Sequence, residues 1–102
     1  MSAYLIVNYN IEDSDAYKEY QKGAGPALQI GSGCKLLVLD PASERMEGET
    51  TANQTVVLEF ESKDKAREIY QSGDYQAVLP IRLGATSSHF AVLVDSFVMP
   101  GA

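Results

Sequence analysis

Residues 54–70 read QTVVLEFESKDKAREIY, and the spacing of the apolar residues changes within this stretch. The first half, QTVVLEFE (54–61), is rich in β-branched and aromatic residues, which is typical of a strand. In the second half Ala66, Ile69 and Tyr70 fall at i, i+3 and i+4, so a helix would carry them on one apolar face. The stretch therefore predicts a strand followed directly by an amphipathic helix.

The beginning of the chain repeats this unit. AYLIVNYN (3–10) has the composition of a strand, and DAYKEY (15–20) resembles DKAREIY (64–70) of the second unit. Both units place residues that can cap a helix between the strand and the helix: Asp13 or Ser14, and Ser62.

Glycine and proline interrupt both helical patterns. Those at residues 23–26 predict that the first helix kinks or divides. In YQSGDYQAVLPIR (70–82) we expect Gly73 to end the helix and Asp74 to cap a second, short helix. Pro80 would then turn the chain toward the last strand.

Two further segments, CKLLVLD (34–40) and HFAVLVDSF (89–97), also have the composition of strands. The predicted order is therefore strand, helix, strand, strand, helix, strand, within a single domain that spans residues 1–102. This is the α+β, ferredoxin-like split βαβ arrangement (βαββαβ), in which an antiparallel sheet carries both helices on one face. The long polar β2–β3 connection (40–53) is either a mobile surface arm or a flap over a site.

Both faces of the predicted sheet are apolar, although the helices can cover only one. Apolar residues alternate between the faces in the first and last strands: Tyr4 and Ile6 against Leu5, Val7 and Tyr9, and Phe90, Val92 and Val94 against Ala91, Leu93 and Phe97. A chain of 102 residues has no further element to cover the second face, so a second copy is the expected cover. The sequence predicts a homodimer formed through the sheet face.

Composition argues against several classes of partner. The net charge is −6 and the eight basic residues are scattered, whereas nucleic-acid binding needs concentrated lysine and arginine. The beginning of the sequence has no basic segment, and its apolar run is too short for a signal sequence or a membrane span. A single cysteine cannot form an internal disulfide. We therefore expect a cytoplasmic protein that contacts no nucleic acid and no membrane.

Residues 58–88, together with residues 3–20 and MEG (46–48), resemble the domain-of-unknown-function 1330 family of small bacterial proteins. The most specific part of this resemblance is a spaced set: Phe60, Ala66, Tyr70, Ser72, Tyr75 and Arg82. The resemblance implies a ferredoxin-like fold that pairs with a second copy into a dimeric α+β barrel. It implies no established reaction, since the wider superfamily includes cofactor-free monooxygenases, muconolactone isomerases and chlorite dismutase-like haem proteins.

One histidine and one cysteine limit metal and nucleophile chemistry. They cannot build a metal cluster of His and Cys ligands within one chain, so we expect no metal and no cofactor. His89 alone could be an axial haem ligand, as in the haem-binding relatives, but at the start of a strand an exposed histidine is more common. Cys34 and His89 could also pair across a dimer to give a thiolate nucleophile. A buried, inert cysteine is the favoured interpretation.

Polar residues inside the predicted strands are the candidates for acid–base chemistry. Glu59 points away from the face that carries Phe60. If that face lies inside a dimer, Glu59 needs a cation such as Arg82 or Lys35, or must hold a proton, which would suit a general base. Asn8 is a further polar residue of the strands that we assign to the same pocket. A structural ion pair is the favoured alternative to catalysis.

The tyrosines supply most of the aromatic bulk, since the chain has six of them and no tryptophan. We expect Tyr20, Tyr70 and Tyr75 to line a pocket between the helices and the sheet, with Arg82 at its rim. Arg82 has no evident structural role, and its fork of donors suits an anionic or carbonyl oxygen of a ligand.

The favoured function is that of a small-molecule-binding homodimer. If the protein is also a catalyst, we expect a cofactor-free enzyme that acts on a small organic acid or carbonyl compound. The predicted catalytic residues are Arg82, Glu59 and His89. The predicted ligand-binding residues are Tyr20, Tyr70, Tyr75 and Asn8. The alternative is a non-enzymatic stress or regulatory dimer whose polar arm contacts a partner. A cavity on which Arg82 and a tyrosine hydroxyl converge would favour the first, and a packed interior with Arg82 tied to a helix C-terminus or to Asp74 would favour the second.

Overall fold

The computed structural model describes residues 2–48 and 52–100, which form a four-stranded sheet with helices on one face. The elements are, in chain order, β1 (Ala3–Ile11), α1 (Ser14–Ala27), β2 (Cys34–Asp40), β3 (Gln54–Phe60), α2 (Lys63–Tyr70), α3 (Gly73–Ala85) and β4 (Thr86–Asp95). The sheet order is β2-β3-β1-β4, and every neighbouring pair of strands is antiparallel. This is the predicted ferredoxin-like α+β arrangement, with a third helix inserted before the last strand.

Each helix begins at a side chain that accepts a hydrogen bond from the backbone of the first turn. Of the two residues predicted to cap α1, Asp13 is the cap and Ser14 begins the helix, and Ser62 caps α2 as predicted. Ser72 caps α3, so the prediction that Asp74 is the cap is wrong. Ser72 has the extended backbone that a cap requires. Asp74 already lies inside the first turn, where its negative charge stabilises the helix through its attraction to the positive end of the helix dipole.

The predicted break at Gly73 is present, since α2 ends at Tyr70 and α3 begins at Gly73, but the breaks predicted at residues 23–26 and at Pro80 are absent. Helix α1 continues through residues 23–26, and α3 runs from Gly73 through Pro80 to Ala85. Pro26 lies in the last turn of α1, where its missing N–H removes one hydrogen bond and interrupts no later turn. In α3, buried side chains on both sides of Pro80 attach the helix to the core: Tyr75, Arg82 and Ala85.

Two glycines of α1 test how closely this helix packs on α3. A Cβ at Gly23 would lie 2.7 Å from Cγ1 of Val78, whereas a Cβ at Gly25 would have no atom within 4 Å. We expect Gly25→Ala to raise the free energy of unfolding by roughly 0.5–1 kcal/mol, because alanine loses less entropy in a helix. Gly23→Ala should instead lower it by roughly 1–3 kcal/mol through overpacking. Urea unfolding measures both variants, and equal effects would contradict the close contact.

The helices cover one face of the sheet and leave the other open. The covered face contributes the buried core residues of the strands: Leu5, Val7, Tyr9, Leu58 and Phe60. On the open face, neighbouring strands align a second apolar set: Tyr4, Ile6, Val57, Phe90, Val92 and Val94. Phe90 and Val92 remain 46% and 44% exposed. Both faces are therefore apolar, and none of the helices in the described part of the chain covers the open one.

The connection between β2 and β3 is anchored at its base. The Ser43 N–H donates to the Asn53 carbonyl at 2.8 Å, and the Ser43 hydroxyl lies 2.6 Å from that of Thr55. Residues 43–47 then flank a shallow cleft on the open face of the sheet. Residues 49–51 of the predicted arm or flap lie outside the described residues, so both roles stay predictions.

Candidate functional site

A cavity of about 180 Å³ lies between α1 and the β2 side of the sheet. Helix α1 packs mainly against α3, which leaves β2 at the sheet edge without a helix directly on it. Leu36 and Leu39 face the helix side of β2 and line the cavity, yet they are 42% and 47% exposed. Apolar side chains form most of the remaining wall: Leu5, Val7, Leu28, Val56 and Leu58. The cavity is therefore apolar and opens at the β2 edge.

Four tyrosines and Gln21 supply the polar part of the cavity wall, and the tyrosine hydroxyls are joined in pairs. The hydroxyls of Tyr9 and Tyr17 are hydrogen-bonded to each other, and those of Tyr20 and Tyr75 lie 2.7 Å apart. The side-chain amide of Gln54 also donates to the Tyr17 hydroxyl, at 2.7 Å. The rings touch in sequence, with centroid distances of 5.7, 5.6 and 6.3 Å for Tyr9–Tyr17, Tyr17–Tyr20 and Tyr20–Tyr75. We call these four residues the tyrosine cluster.

Arg82 lies behind the tyrosine cluster, in the last turn of α3, and is only 3% exposed. The centre of its guanidinium lies 5.1 Å from the ring centroid of Tyr9 and 6.0 Å from that of Tyr20. Its Nε has no hydrogen-bond partner, and within residues 2–48 and 52–100 no carboxylate forms an ion pair with it. Arg82 is therefore a buried cation surrounded by phenol rings.

The aromatic contacts offset only part of the cost of burying Arg82. A cation over an aromatic ring gains roughly 0.5–2 kcal/mol. Removing an ion from water costs several kcal/mol even after the protein relaxes. Two such contacts, at 5.1 and 6.0 Å, therefore leave the positive charge undercompensated.

The cluster is held in its protonated, neutral form. Burial is the largest cause that raises the pKa of Tyr9, Tyr17, Tyr20 and Tyr75, and attraction to the cation of Arg82 opposes this rise in all four. Burial lowers the pKa of Arg82, but the surrounding phenol oxygens outweigh it, so the pKa of Arg82 is raised and its charge persists. At neutral pH the site therefore combines four neutral phenols with one cation.

These raised pKa values predict loss of stability in alkali. The unfolded chain loses its tyrosine protons near pH 10, whereas the folded protein retains those of the cluster. The stabilisation is therefore complete below about pH 10 and declines as the pH rises further. We expect part of the tyrosinate ultraviolet absorbance to appear only together with the loss of circular dichroism. Complete ionisation of all six tyrosines in a protein that keeps its native circular dichroism would contradict this.

The structure brings together three of the residues that the sequence assigned to the site. Tyr20 and Tyr75 share a hydrogen bond in the cavity wall, and Arg82 lies against the ring of Tyr20. Tyr70 packs against Tyr75 with a centroid distance of 4.9 Å and an angle of 41° between the rings, but it lines a separate groove toward β4. Tyr70 is therefore a neighbour of the cluster and not part of the cavity wall.

The other three assigned residues lie away from the cavity. Asn8 is in register with Thr55 and Phe90 on the open face of the sheet. Glu59 is on the same face, between its register partners Tyr4 and Lys35. His89 is exposed on the edge strand β4. Within one subunit, therefore, none of these three residues lies next to Arg82 or the tyrosine cluster. Their catalytic and binding roles stay predictions.

Three members of the site were not assigned to it from the sequence: Tyr9, Tyr17 and Gln54. Tyr9 alternates with Leu5 and Val7, so its pattern indicated only a core position. Gln54 carried the clearest available signal, since it is a polar residue that precedes Val56, Leu58 and Phe60 on the same face of β3 and is only 3% exposed. A polar residue at a core-facing position of this kind indicates a buried hydrogen-bond partner.

Cys34 begins β2 and is buried, and burial raises the pKa of its thiol to about 11. At neutral pH the thiolate fraction is therefore very small, and the thiolate is the reactive form. We expect iodoacetamide to label Cys34 slowly in the native protein and rapidly in denaturant. Rapid labelling of the native protein at neutral pH would contradict an inert thiol.

The described part of the chain has neither a metal-binding cluster nor a membrane-spanning helix. Within the ranges 2–48 and 52–100, no group of three or more His, Cys, Asp or Glu side chains is placed to hold a metal ion. In the same part of the chain, no helix has both the length and the apolar character needed to cross a bilayer.

Several solved structures are similar to this fold. A protein of unknown function from Rhodopseudomonas palustris aligns with a TM-score of 0.77 and 13% identity, over 96% of this chain and 84% of that one. A dimeric ferredoxin-like protein of unknown function from Thermobifida fusca aligns with a TM-score of 0.63 and 16% identity, over 94% and 92% of the two chains. One from Bacteroides fragilis, also described as dimeric, gives 0.56 and 14%, over 93% and 96%. At these identities the similarity shows the fold alone.

Sequence comparison gives a more specific result. None of the curated protein sequences matches the chain. The family profile described as "Domain of unknown function (DUF1330)" matches residues 2–96, which is nearly the whole chain and includes every element of the sheet and all three helices. The protein therefore belongs to the DUF1330 family.

Proposed function

We propose that the protein is a small-molecule-binding homodimer whose cavity beside α1 takes a small organic acid or carbonyl compound. The observation that carries this proposal is an apolar cavity of about 180 Å³ with four tyrosine hydroxyls in its wall and a buried arginine behind them. An apolar wall with a few convergent polar groups is characteristic of small-molecule sites. A protein cavity of about 150 Å³ holds benzene, so the volume suits one ring with one or two substituents.

The surroundings of Arg82 favour this function over a purely structural dimer. Arg82 forms no ion pair with Asp74, which is one of the two contacts that the structural alternative predicted, and the interior beside the cluster is not fully packed. We limit the proposal to binding, because the predicted proton-transfer residues Glu59 and His89 lie outside the cavity.

We further propose that a second copy of the chain covers the open face of the sheet. Phe90, Val92 and Val94 are 46%, 44% and 37% exposed there, and no helix of the described chain lies on them. An exposed apolar face of this kind marks an interaction site. A second copy is the occupant we favour, because two structural relatives with the same fold are described as dimeric. The opposite face keeps its helices, so the cavity stays accessible in such a dimer.

Thermal unfolding with one-ring probes tests the cavity. We expect phenol or benzoate to raise the Tm of the wild-type protein by roughly 10 °C when present at about 100 times its Kd. Ala24 is buried in the cavity wall, so Ala24→Leu should fill the space and abolish the shift.

Ala77→Leu is the matched control for this experiment, since Ala77 is exposed on α3 and should leave the shift unchanged. The proposal is contradicted if neither probe stabilises the wild type, or if the shift is equally large in Ala24→Leu.

A further inference from the structure

The hydrogen-bond pattern of the cluster leaves two hydroxyl protons without an acceptor. Each tyrosine hydroxyl carries one proton, and a bond between two hydroxyls uses one of the two. Each of the two pairs therefore keeps one proton after its mutual bond. The pairs are Tyr9 with Tyr17 and Tyr20 with Tyr75. The bond from Gln54 adds a donor to the first pair and supplies no acceptor. All four tyrosines line the cavity, so both pairs lie beside the space that a bound molecule would occupy.

No group of the cavity wall balances these donors with a negative charge. None of the described residues that line the cavity is an aspartate or a glutamate. Arg82 lies directly behind two of the phenol rings, and no described carboxylate pairs with it. The site thus has two free O–H donors and one unpaired buried cation around an apolar space.

We infer that the cavity binds its ligand as an oxyanion: the negatively charged oxygen of a phenolate, enolate or carboxylate on a small apolar ring. This inference rests on the proposed function and specifies the chemical class of the ligand. The oxyanion accepts the spare protons of the tyrosine pairs, and its charge compensates Arg82 across the rings of Tyr9 and Tyr20. Arg82 is accordingly a positioning and charge-compensating residue that acts through the cluster.

An oxyanion fits these groups better than a neutral carbonyl does. A neutral oxygen can accept the two hydroxyl protons, but it leaves the cation of Arg82 uncompensated. An anion gains from both, because hydrogen bonds to a charged acceptor are roughly twice as strong as neutral ones. Its attraction to Arg82, which is only 3% exposed, is also stronger across the buried phenol rings than it would be at a surface.

The probe para-nitrophenol distinguishes the two forms, because its phenolate absorbs visible light and the neutral phenol does not. At a pH below the probe's own midpoint, we expect the phenolate band to grow on addition of wild-type protein. The probe's proton passes to the solvent. We expect the ionisation constant of the bound probe to rise by roughly tenfold, which is one unit on the pKa scale.

Three variants identify the source of the effect. Arg82→Met should leave the bound probe neutral, whereas Arg82→Lys, which keeps the charge, should retain much of the phenolate band. Lys18→Met removes one exposed positive charge of α1 and should change nothing. If Arg82→Met does not fold, the double variant Tyr20→Phe/Tyr75→Phe provides the second test, since it removes both hydroxyls of one pair, and with them its spare proton, and should weaken the band.

The outcomes separate this inference from the proposed function. Growth of the band in wild type and in Lys18→Met, with its loss in Arg82→Met or weakening in the double phenylalanine variant, supports an oxyanion site. Binding of the probe as the neutral phenol, blocked by Ala24→Leu, overturns the oxyanion inference and leaves the proposed cavity intact. No binding of any ring probe overturns both.

Discussion

Replacing Val92 with glutamate is expected to convert the protein from a dimer to a monomer. Val92 lies on the open face, in register with Ile6, and is 44% exposed in the single subunit. A two-fold interface would bury the new carboxylate of both copies without a partner, at a cost of several kcal/mol for each ion. The dissociation constant should therefore rise by roughly a thousandfold or more. Sedimentation equilibrium at micromolar concentration measures it.

The same substitution should leave the subunit folded, because the single chain already exposes this face to water. Circular dichroism checks the fold of the variant. Ala77→Glu adds the same charge at an exposed position of α3 and should remain dimeric. A monomeric wild type, or a Val92→Glu variant that still sediments as a dimer, would show that the open face is not the interface.

Replacing Arg82 with methionine is expected to affect stability and anion binding in opposite directions. The 3% exposed guanidinium has no counter-ion among the described residues, so an apolar side chain of similar length removes an uncompensated desolvation cost. The loss of two cation–π contacts acts in the other direction. We expect the free energy of unfolding without ligand to stay the same or rise by about 1–3 kcal/mol, while benzoate binding weakens at least tenfold.

Urea unfolding and calorimetric titration with benzoate measure these two quantities separately. Lys18→Met is the control for the loss of one positive charge. A large fall in stability, with unchanged benzoate affinity in the folded fraction, would indicate that Arg82 is a structural residue. If Arg82 binds a ligand, we expect the wild-type protein to be no more stable than Arg82→Met, because residues kept for function often cost stability.

The fold was predictable because its signals are local. The strand-then-helix pattern occurs twice, and Asp13 and Ser62 mark the helix starts that the structure shows. The length of α3 was not predictable in this way, since the sequence around Pro80 is typical of a helix end. Burial of Arg82 and Ala85 beyond the proline continues the helix, and that is a tertiary effect.

The candidate site was predictable only in part, for a related reason. Tyr20, Tyr75 and Arg82 were found because phenols and a cation close to one another suggest a ligand. Strand alternation places Asn8 with Ile6, but alternation does not say which face the helices cover, and the structure puts both residues on the open face. Tyr9 was missed for the opposite reason. Its alternation with Leu5 and Val7 indicated only a core position, but its hydroxyl is hydrogen-bonded within the cavity wall.

A crystal of the protein soaked with para-bromophenol tests the central claim most directly, because anomalous scattering locates the bromine atom without reference to the protein atoms. We predict a bromine peak inside the cavity beside α1, among Leu5, Leu28 and Leu36, with the phenol oxygen directed at the hydroxyls of the tyrosine cluster. Bromine peaks confined to the open sheet face or to the protein surface, with the cavity unoccupied at saturating probe, would contradict the account.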